Sequence, residues 1–404
     1  MTEHVIVADL GYGDAGKGSV VDWLCASRPV EAVVRFNGGA QAAHNVVLPD
    51  GRRHTFAQFG SGTLRGVPTH LSRYVVVDPL ALSAEAAHLS SIGVPDPYGL
   101  LSVDREALLA TPYHVEAGRQ RELARGADRH GSCGMGVGET MAFALASPEL
   151  APRVGDCARP RALAGKLAAV REALGAAGPP VEDCVAAYGA FASRVALTDD
   201  GHLPGLLGRG PVVFEGAQGV LLDERHGFHP YTTWSTTTFG NALDLLQGAG
   251  AVRTGVLRTY TPRHGPGPLV TEDPALELPE PHNGAGPWQG PFRLGHFDAV
   301  AHRYALEAAG GCDGLVLTHL DAPVSRMCVA YAGGPPAVLE AHLDEGRALE
   351  RQGALAARLM RERPVYGAAV TDWPSAVSEA LGVPVVAGSW GPTARDKKAL
   401  ARAS

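Results

Sequence analysis

The sequence predicts an α/β protein: a large central, mostly parallel β-sheet flanked by helices, with a glycine-rich phosphate turn, a helical insertion and long active-site loops. Three observations carry this. Short apolar runs recur between helix-periodic stretches, the alternation that parallel sheets need. One such run, Val5-Ile6-Val7-Ala8, leads into Gly11-Tyr12-Gly13-Asp14-Ala15-Gly16-Lys17-Gly18 and then into a helix-compatible stretch from Ser19 to Leu24. The chain has 404 residues, 45% hydrophobic and 19% charged, enough for a substantial core.

Strands are expected at Val5–Ala8, Ala32–Arg35, Tyr74–Val77, Val212–Phe214, Gly255–Thr259, Leu315–Leu317 and Val383–Ala387, each a short apolar or β-branched run. Helices are expected over 104–110, 115–125, 160–175, 298–309 and 346–362, the last amphipathic enough to pack one face on the core. Residues 100–205 read as a mostly helical insertion. Residues 261–296 are rich in Pro, Gly and His with little periodicity and read as a long functional loop. All of this is expected within one domain over 1–404.

Composition narrows the function classes. A net charge of −7 argues against a nucleic-acid partner. No run approaches the roughly 20 apolar residues of a membrane span. The start, Met1-Thr2-Glu3-His4-Val5, lacks a basic region followed by an apolar stretch, and the six cysteines form no CxxC pair. Together these predict a cytoplasmic protein with reduced thiols, free of membrane.

The phosphate turn satisfies the P-loop spacing up to Lys17, and its backbone N–H groups and lysine suit a polyphosphate. Gly18 stands where a Mg²⁺-ligating Ser or Thr is usual, so Asp14 is the candidate for the metal. The plain alternative is a glycine-rich strand-to-helix turn. A second strand ends in Asn37-Gly38-Gly39-Ala40-Gln41-Ala42-Ala43-His44, where His44 beside Asp14 would make an acid/base pair across a phosphate site. A third turn, Glu215-Gly216-Ala217-Gln218-Gly219-Val220-Leu221-Leu222-Asp223, offers Gln218 to orient a substrate carbonyl. It leads into a hydroxyl-rich loop containing Thr233, which binds phosphate or is a solvated turn. His226 and His229 lack a third ligand at metal spacing. Thr318-His319-Leu320-Asp321 ends a strand in a carboxylate that would accept hydrogen bonds from guanine N1–H and its amine, or cap a helix.

In this order the segments resemble adenylosuccinate synthetase. Gly13-Asp14-Ala15-Gly16-Lys17-Gly18-Ser19 is similar to the family's Gly-Asp-Glu-Gly-Lys-Gly-Lys run, and Gly38 to Asn45 to its Gly-Gly-x-Asn-Ala-Gly-His-Thr run. Residues 215–223 match its Glu-Gly-Ala-Gln-Gly-x-Leu-Leu-Asp segment, Thr318 to Asp321 its Thr-Lys-Leu-Asp guanine motif, and Ser389-Trp390-Gly391-Pro392 its terminal Ser-x-Gly-Pro. The resemblance implies a GTP- and Mg²⁺-dependent C–N ligase of purine biosynthesis and a homodimer. Asp14 would take the purine N1 proton and sit on Mg²⁺ with the Ala43 carbonyl. Lys17 and His44 would stabilise the transferring phosphoryl and departing diphosphate, and Gln218 would hold the base being activated. Gly13, Gly16, Lys17, Gly18, Thr318, Asp321, Ser389, Gly391 and Pro392 would bind GTP. Gln41, Ser132, Gln218, Thr233, Arg263 and Arg293 would bind the other substrates.

The departures are specific. The family holds aspartate with an arginine-rich Thr-Thr-Gly-Arg-Arg-Arg-Arg run, whereas residues 284–293 here carry one arginine, Arg293. A dicarboxylic amino acid needs cationic, preferably bidentate partners. Gln41 replaces Asn, Ser132 replaces Thr, Ala15 replaces a loop glutamate and His319 the lysine of the guanine motif. The arginine that a neighbouring subunit supplies in the family falls near Ser147. Arg258, Arg263, His264 and His296 are available for other polar contacts. Two readings follow: IMP ligated to aspartate, or a specialised paralogue with a different acceptor or amine. A guanine-nucleotide switch is a third, disfavoured by Gly18, and a catalytically dead regulator a fourth, disfavoured by the intact set Asp14, Lys17, His44 and Gln218.

Overall fold

The computed structural model describes residues 3–281, 283–284, 286, 288–338 and 345–401. Among these, a ten-stranded sheet forms the spine. Its order across the sheet is 397–399, 385–389, 314–318, 251–258, 4–9, 212–215, 32–35, 69–71, 101–104 and 196–198. All neighbours are parallel except the edge pair Val385–Ser389 and Lys397–Ala399. The central strands are apolar on both faces. Ile6, Ala8, Val34 and Phe214 pack on one side, and Val5, Val7, Val33, Val213, Val256 and Val316 on the other. Helices cover both faces of such a sheet, which is why these strands read as continuous apolar runs.

The helix Lys17–Ser27 starts at Gly16, which has φ 91°, a left-handed conformation that costs glycine little. Pro79–Ser91 begins with Pro at its first position and is capped by Asp78, whose carboxylate accepts from the N–H groups of Leu80 and Ala81. Helices also occur at Pro112–Ala124, Pro160–Leu174, Ala299–Ala308 and Glu345–Leu359, close to their expected bounds.

Three local expectations are corrected. Residues 104–110 are not a helix: Leu101–Asp104 and Leu108–Leu109 are strands, and Leu101, Val103 and Leu109 are buried. Alternation won over an Ala- and Leu-rich composition that suggested helix. The sheet strand expected at Tyr74–Val77 lies earlier, at Thr69–Leu71, which is short and polar enough to escape notice; Val76–Val77 pairs separately with Leu108–Leu109. Both ends of the 261–296 segment are also strands, Tyr260–His264 and Phe292–Asp298, paired antiparallel with Arg263 opposite Arg293. Ala285 and Pro287 of the arginine-poor stretch lie outside the described residues, as does Ser404. No described helix is long and apolar enough to cross a membrane.

Burial of histidines gives the fold an acid limit. His70, His114 and His302 are 2%, 0% and 2% exposed, and burial pushes them down to about 3, 4 and 4. A neutral buried imidazole takes up its proton only on unfolding, between its folded and unfolded pKa. Each therefore removes up to about 1.4 kcal/mol of stability per pH unit as pH falls below about 6.5. Asp298, pushed up to about 6 by burial, acts oppositely below that pH and offsets one of the three. Urea midpoints are expected to fall steadily from pH 7.5 to pH 5; a flat profile would show these imidazoles to be hydrated.

Candidate functional site

The site is built where three parallel strands end side by side. The strand His4–Asp9 delivers the phosphate loop, Val212–Glu215 the turn containing Gln218, and Ala32–Arg35 the turn leading to His44. Asp9, 1% exposed, organises the first loop. Its carboxylate accepts from Gly11 N at 2.8 Å, Ala15 N at 2.9 Å and Lys17 Nζ at 3.0 Å. Lys17 also donates to the Gln218 carbonyl at 2.7 Å, so the lysine joins the first and third turns.

Gly219 permits that junction. A Cβ there would sit 2.3 Å from the Gly11 carbonyl oxygen and 2.4 Å from Gly13 N, so any side chain would part the two turns. Asp14 and Gln218 both hold left-handed backbone, φ 58° and 57°. The Oε1 atom of Gln218 is buried without a hydrogen-bond partner and is free for a ligand. Gly18 has a steric cause: a Cβ would lie 2.7 Å from the His44 Cβ. The hydroxyl residue usual at this position is therefore incompatible with His44 where it stands.

His44 is 7% exposed and its Nδ1–H donates to Glu215 Oε1 at 2.6 Å, which leaves Nε2 as the ring nitrogen outside that pair. Glu215, fully buried, also accepts from the Ser61 N–H at 2.9 Å and from the Ser61 hydroxyl. Burial pushes Glu215 up, but His44, Arg35 and these hydrogen bonds outweigh it and hold the carboxyl down at about 2. Burial and Arg35 lower the His44 imidazole against the pull of Glu215. It rests neutral, and a polyphosphate placed against Nε2 would favour its protonated, donating form.

Asp14 faces His264, with Nε2 to Oδ2 at 3.3 Å. Burial raises its carboxyl, but His264, Arg258 and Lys17 together lower it, so it is ionised at neutral pH. The donor types suit Mg²⁺, a hard cation that takes few protein oxygens: an ionised carboxylate at Asp14 and the backbone carbonyl of Ala43, an exposed residue just before His44.

The expected guanine-reading residues sit on the adjoining strand ends. Thr318 is buried and donates to the Ala15 carbonyl at 2.8 Å, tying this strand to the phosphate loop. Leu320 N donates to Ser389 O at 3.0 Å, and Ser389 Oγ to Gly391 O at 3.0 Å. These bonds hold the Thr318–Asp321 and Ser389–Pro392 segments together, with Asp321 exposed beside them. His319 packs edge-on against Tyr260 and burial pushes it down to about 2, so it brings no charge to the base site.

A cavity of about 910 Å³ opens next to this cluster. Gln41, Ser132, Gln218, Thr233, Arg263 and His264 line it. Both polar side-chain atoms of Gln41 are buried without partners. The volume suits a nucleotide-sized ligand. Arg293 is not among the lining residues. Its guanidinium is held by Glu272 and by the carbonyls of Gly265 and Gly267 at 2.8 and 3.0 Å. Arg263 reaches the cavity wall, and each of its three guanidinium nitrogens donates to a carbonyl, those of Pro266, Pro268 and Tyr231.

Asp9, Glu215, Ser61 and the pairing of His264 with Asp14 escaped the sequence reading. Glu215 heads the Gln218 motif, and a carboxylate at a strand end beside a glycine turn was its available signal. Asp9 gave the same signal, at the last residue of the first strand.

A sequence profile of adenylosuccinate synthetase matches residues 6–393. The adenylosuccinate synthetase of Marinomonas sp. (strain MWYL1) is 35% identical over 332 residues, covering 76% of this chain and 74% of the relative. That of Mycobacterium leprae (strain TN) is 35% identical over 331 residues, covering 76% and 75%. The fully ligated adenylosuccinate synthetase of Plasmodium falciparum superposes with a TM-score of 0.78 at 20% identity, over 99% of this chain and 100% of that one. The succinoaminodeoxyadenylate synthetase of cyanophage S-2L, bound to dGMP and to dATP as energy donor, gives 0.61 at 20% identity, over 99% and 95%. At that identity the two structures speak for the fold, while the profile and the relatives speak for descent. The chain belongs to the adenylosuccinate synthetase family of C–N ligases, which use GTP and Mg²⁺.

Proposed function

We propose that this enzyme transfers the GTP γ-phosphoryl group to an oxo oxygen of IMP or an analogous acceptor, and that an amine then displaces the phosphate. The observation that supports the reading is the junction of the phosphate loop with the Gln218 turn, tied by Lys17 to the Gln218 carbonyl and closed by Gly219, with His44 packed against Gly18. Gln218 Nε2–H donates to the acceptor's oxo oxygen and fixes its orientation. Asp14 removes the acceptor's N–H proton, and the electron pair moves to the oxo oxygen, which attacks the γ-phosphorus. The bond from the γ-phosphorus to the bridging oxygen breaks, Lys17 neutralises the charge that develops, and His44 Nε2–H donates to the departing GDP. The amine nitrogen then attacks the activated carbon, inorganic phosphate leaves with the C–O electron pair, and the proton shed by the nitrogen leaves with the phosphate. Asp14 and the Ala43 carbonyl would hold Mg²⁺, which supplies charge neutralisation at the phosphates.

Thr318, Asp321, Ser389, Gly391 and Pro392 are proposed to read the base of the nucleotide triphosphate, and Gln41, Ser132 and Thr233 to line the acceptor pocket. Arg263, at the pocket wall, donates to carbonyls, and Arg293, outside it, is paired with Glu272, so the reading assigns neither to gripping an anion. The six unpaired cysteines favour a cytoplasmic setting.

Isotope exchange tests the reading without knowledge of the amine. With GTP labelled at the β,γ-bridging oxygen, reversible phosphoryl transfer scrambles the label into the non-bridging β positions. Scrambling that requires both Mg²⁺ and an acceptor is expected, with IMP, dIMP and inosine as the first probes. Slow GTP hydrolysis indifferent to every acceptor would instead identify a nucleotide switch.

A further inference from the structure

Asp14 lies on a turn whose internal hydrogen bonds are gathered by a different carboxylate. Asp9 takes Gly11 N, Ala15 N and Lys17 Nζ, while Asp14 holds left-handed backbone at φ 58°. The contacts that Asp14 receives come from far along the chain. Arg258, last residue of the strand Ala251–Arg258, donates from Nε to the Asp14 backbone carbonyl. His264, last residue of the strand Tyr260–His264, places Nε2 3.3 Å from Oδ2. Among the described residues, His264 is the one basic side chain within ion-pair distance of this carboxylate.

His264 is itself held in place. It stands opposite Phe292 in the antiparallel strand pair, and the two rings pack with centroids 4.7 Å apart. The side chains of His264 and Asp14 are 24% and 26% exposed, and the imidazole lines the cavity, so it joins the cavity wall to the base. A neutral imidazole with its proton on Nε2 and an imidazolium present the same N–H to Oδ2, so the contact does not depend on the charge of the ring. The last torsion of an aspartate is broad, and a carboxylate free to turn about it offers its oxygens in many directions. A donor fixed at Oδ2 removes that freedom and keeps Oδ1 in one place.

We propose that His264 is the positioning residue of the base, fixing the Asp14 carboxylate through Oδ2 and leaving Oδ1 to take the acceptor's proton. The proposal rests on the ligase reading above and adds a residue that acts through Asp14. The alignment of the base is thereby set from the strand pair Tyr260–His264 and Phe292–Asp298, not from the phosphate loop alone.

The test is the maximal rate of label scrambling in GTP, at saturating Mg²⁺, GTP and whichever of IMP, dIMP and inosine supports scrambling by the wild type. His264→Phe removes the donor and keeps a ring against Phe292. His264→Leu is a second donor-free variant, and His264→Gln returns an N–H near the place of Nε2. Thermal melts establish that each variant is folded. The donor-free variants are expected to lose about 10- to 100-fold in maximal rate, the fold-change of one hydrogen bond to a charged group, with the KM for GTP held within about twofold. His264→Gln is expected to recover most of that loss. In an Asp14→Asn background the same substitutions are expected to cost no more than about twofold further, because nothing is left to align. An undiminished rate in a folded donor-free variant overturns the proposal. So does a His264→Gln protein no faster than His264→Phe, or an equal loss in the Asp14→Asn background. Wild-type scrambling that is indifferent to His264 refutes the positioning role alone, whereas absence of wild-type scrambling with every acceptor refutes the ligase reading and, with it, the base to be positioned.

Discussion

Asp14→Asn is expected to lower acceptor-dependent phosphoryl transfer by on the order of 10³-fold or more, the upper range for loss of a general base. The fold should survive the change. Asp14 holds φ 58°, a left-handed conformation that Asn tolerates as well as any residue but Gly, and the two side chains have nearly the same volume. What is lost is an ionised oxygen. His264, Arg258 and Lys17 overcome the effect of burial and lower the Asp14 carboxyl, so the wild-type group is a carboxylate throughout the neutral range. An amide accepts no proton and ligates Mg²⁺ more weakly than a carboxylate, so both proposed roles fail together. The measurement is the rate of label scrambling in GTP with IMP as acceptor, alongside a titration of GTP binding. Full turnover by Asp14→Asn would remove the base assignment. Weak GTP binding with intact turnover at saturation would reduce Asp14 to a metal ligand.

The phosphate loop and the Gln218 turn were legible because their chemistry is backbone chemistry. Glycine spacing records where two chains approach. Gly219 against Gly11 and Gly13, and Gly18 against His44, are contacts that only glycine allows. A sequence displays such constraints directly. Side-chain partnerships are displayed less well. Arg293 could be recognised as the one arginine of its stretch, yet nothing in the order of residues announced that Glu272 would neutralise it. Glu280 and Arg258 are 22 residues apart and meet only because the loop folds back on the strand. The strand Thr69–Leu71 was hidden for a different reason. It is three residues long, and its polar members are buried through pairings that no periodicity shows: His70 to Ser102, and Thr69 Oγ1 to the Gly60 N–H.

Glu215→Gln is expected to cost nearly as much activity as loss of the base, though Glu215 touches no substrate in the proposed mechanism. The wild-type carboxylate accepts three hydrogen bonds, from His44 Nδ1–H, the Ser61 N–H and the Ser61 hydroxyl, and has no donor to place. A glutamine must aim an NH₂ at one of those positions. Facing His44, the NH₂ forces Nδ1 to become an acceptor, and the proton moves to Nε2. Nε2–H can still donate, but from a neutral imidazole that has lost the carboxylate that would stabilise its protonated form, so it is a weaker donor to the leaving diphosphate. Removing one donor that stabilises developing charge costs about 10²–10³ in kcat, which sets the scale. Facing Ser61 instead, the NH₂ leaves a buried N–H unpaired at a cost of about 1–3 kcal/mol in stability. Arg35, paired in register with Glu215 on the next strand, loses its counter-charge in either case. The two alternatives separate experimentally. Tautomer reversal lowers the scrambling rate while the urea midpoint holds, and an unpaired Ser61 lowers the midpoint while scrambling at saturating GTP persists. Retention of both would show that His44 does not need Glu215 to be held, and would remove the argument that Nε2 is the working nitrogen.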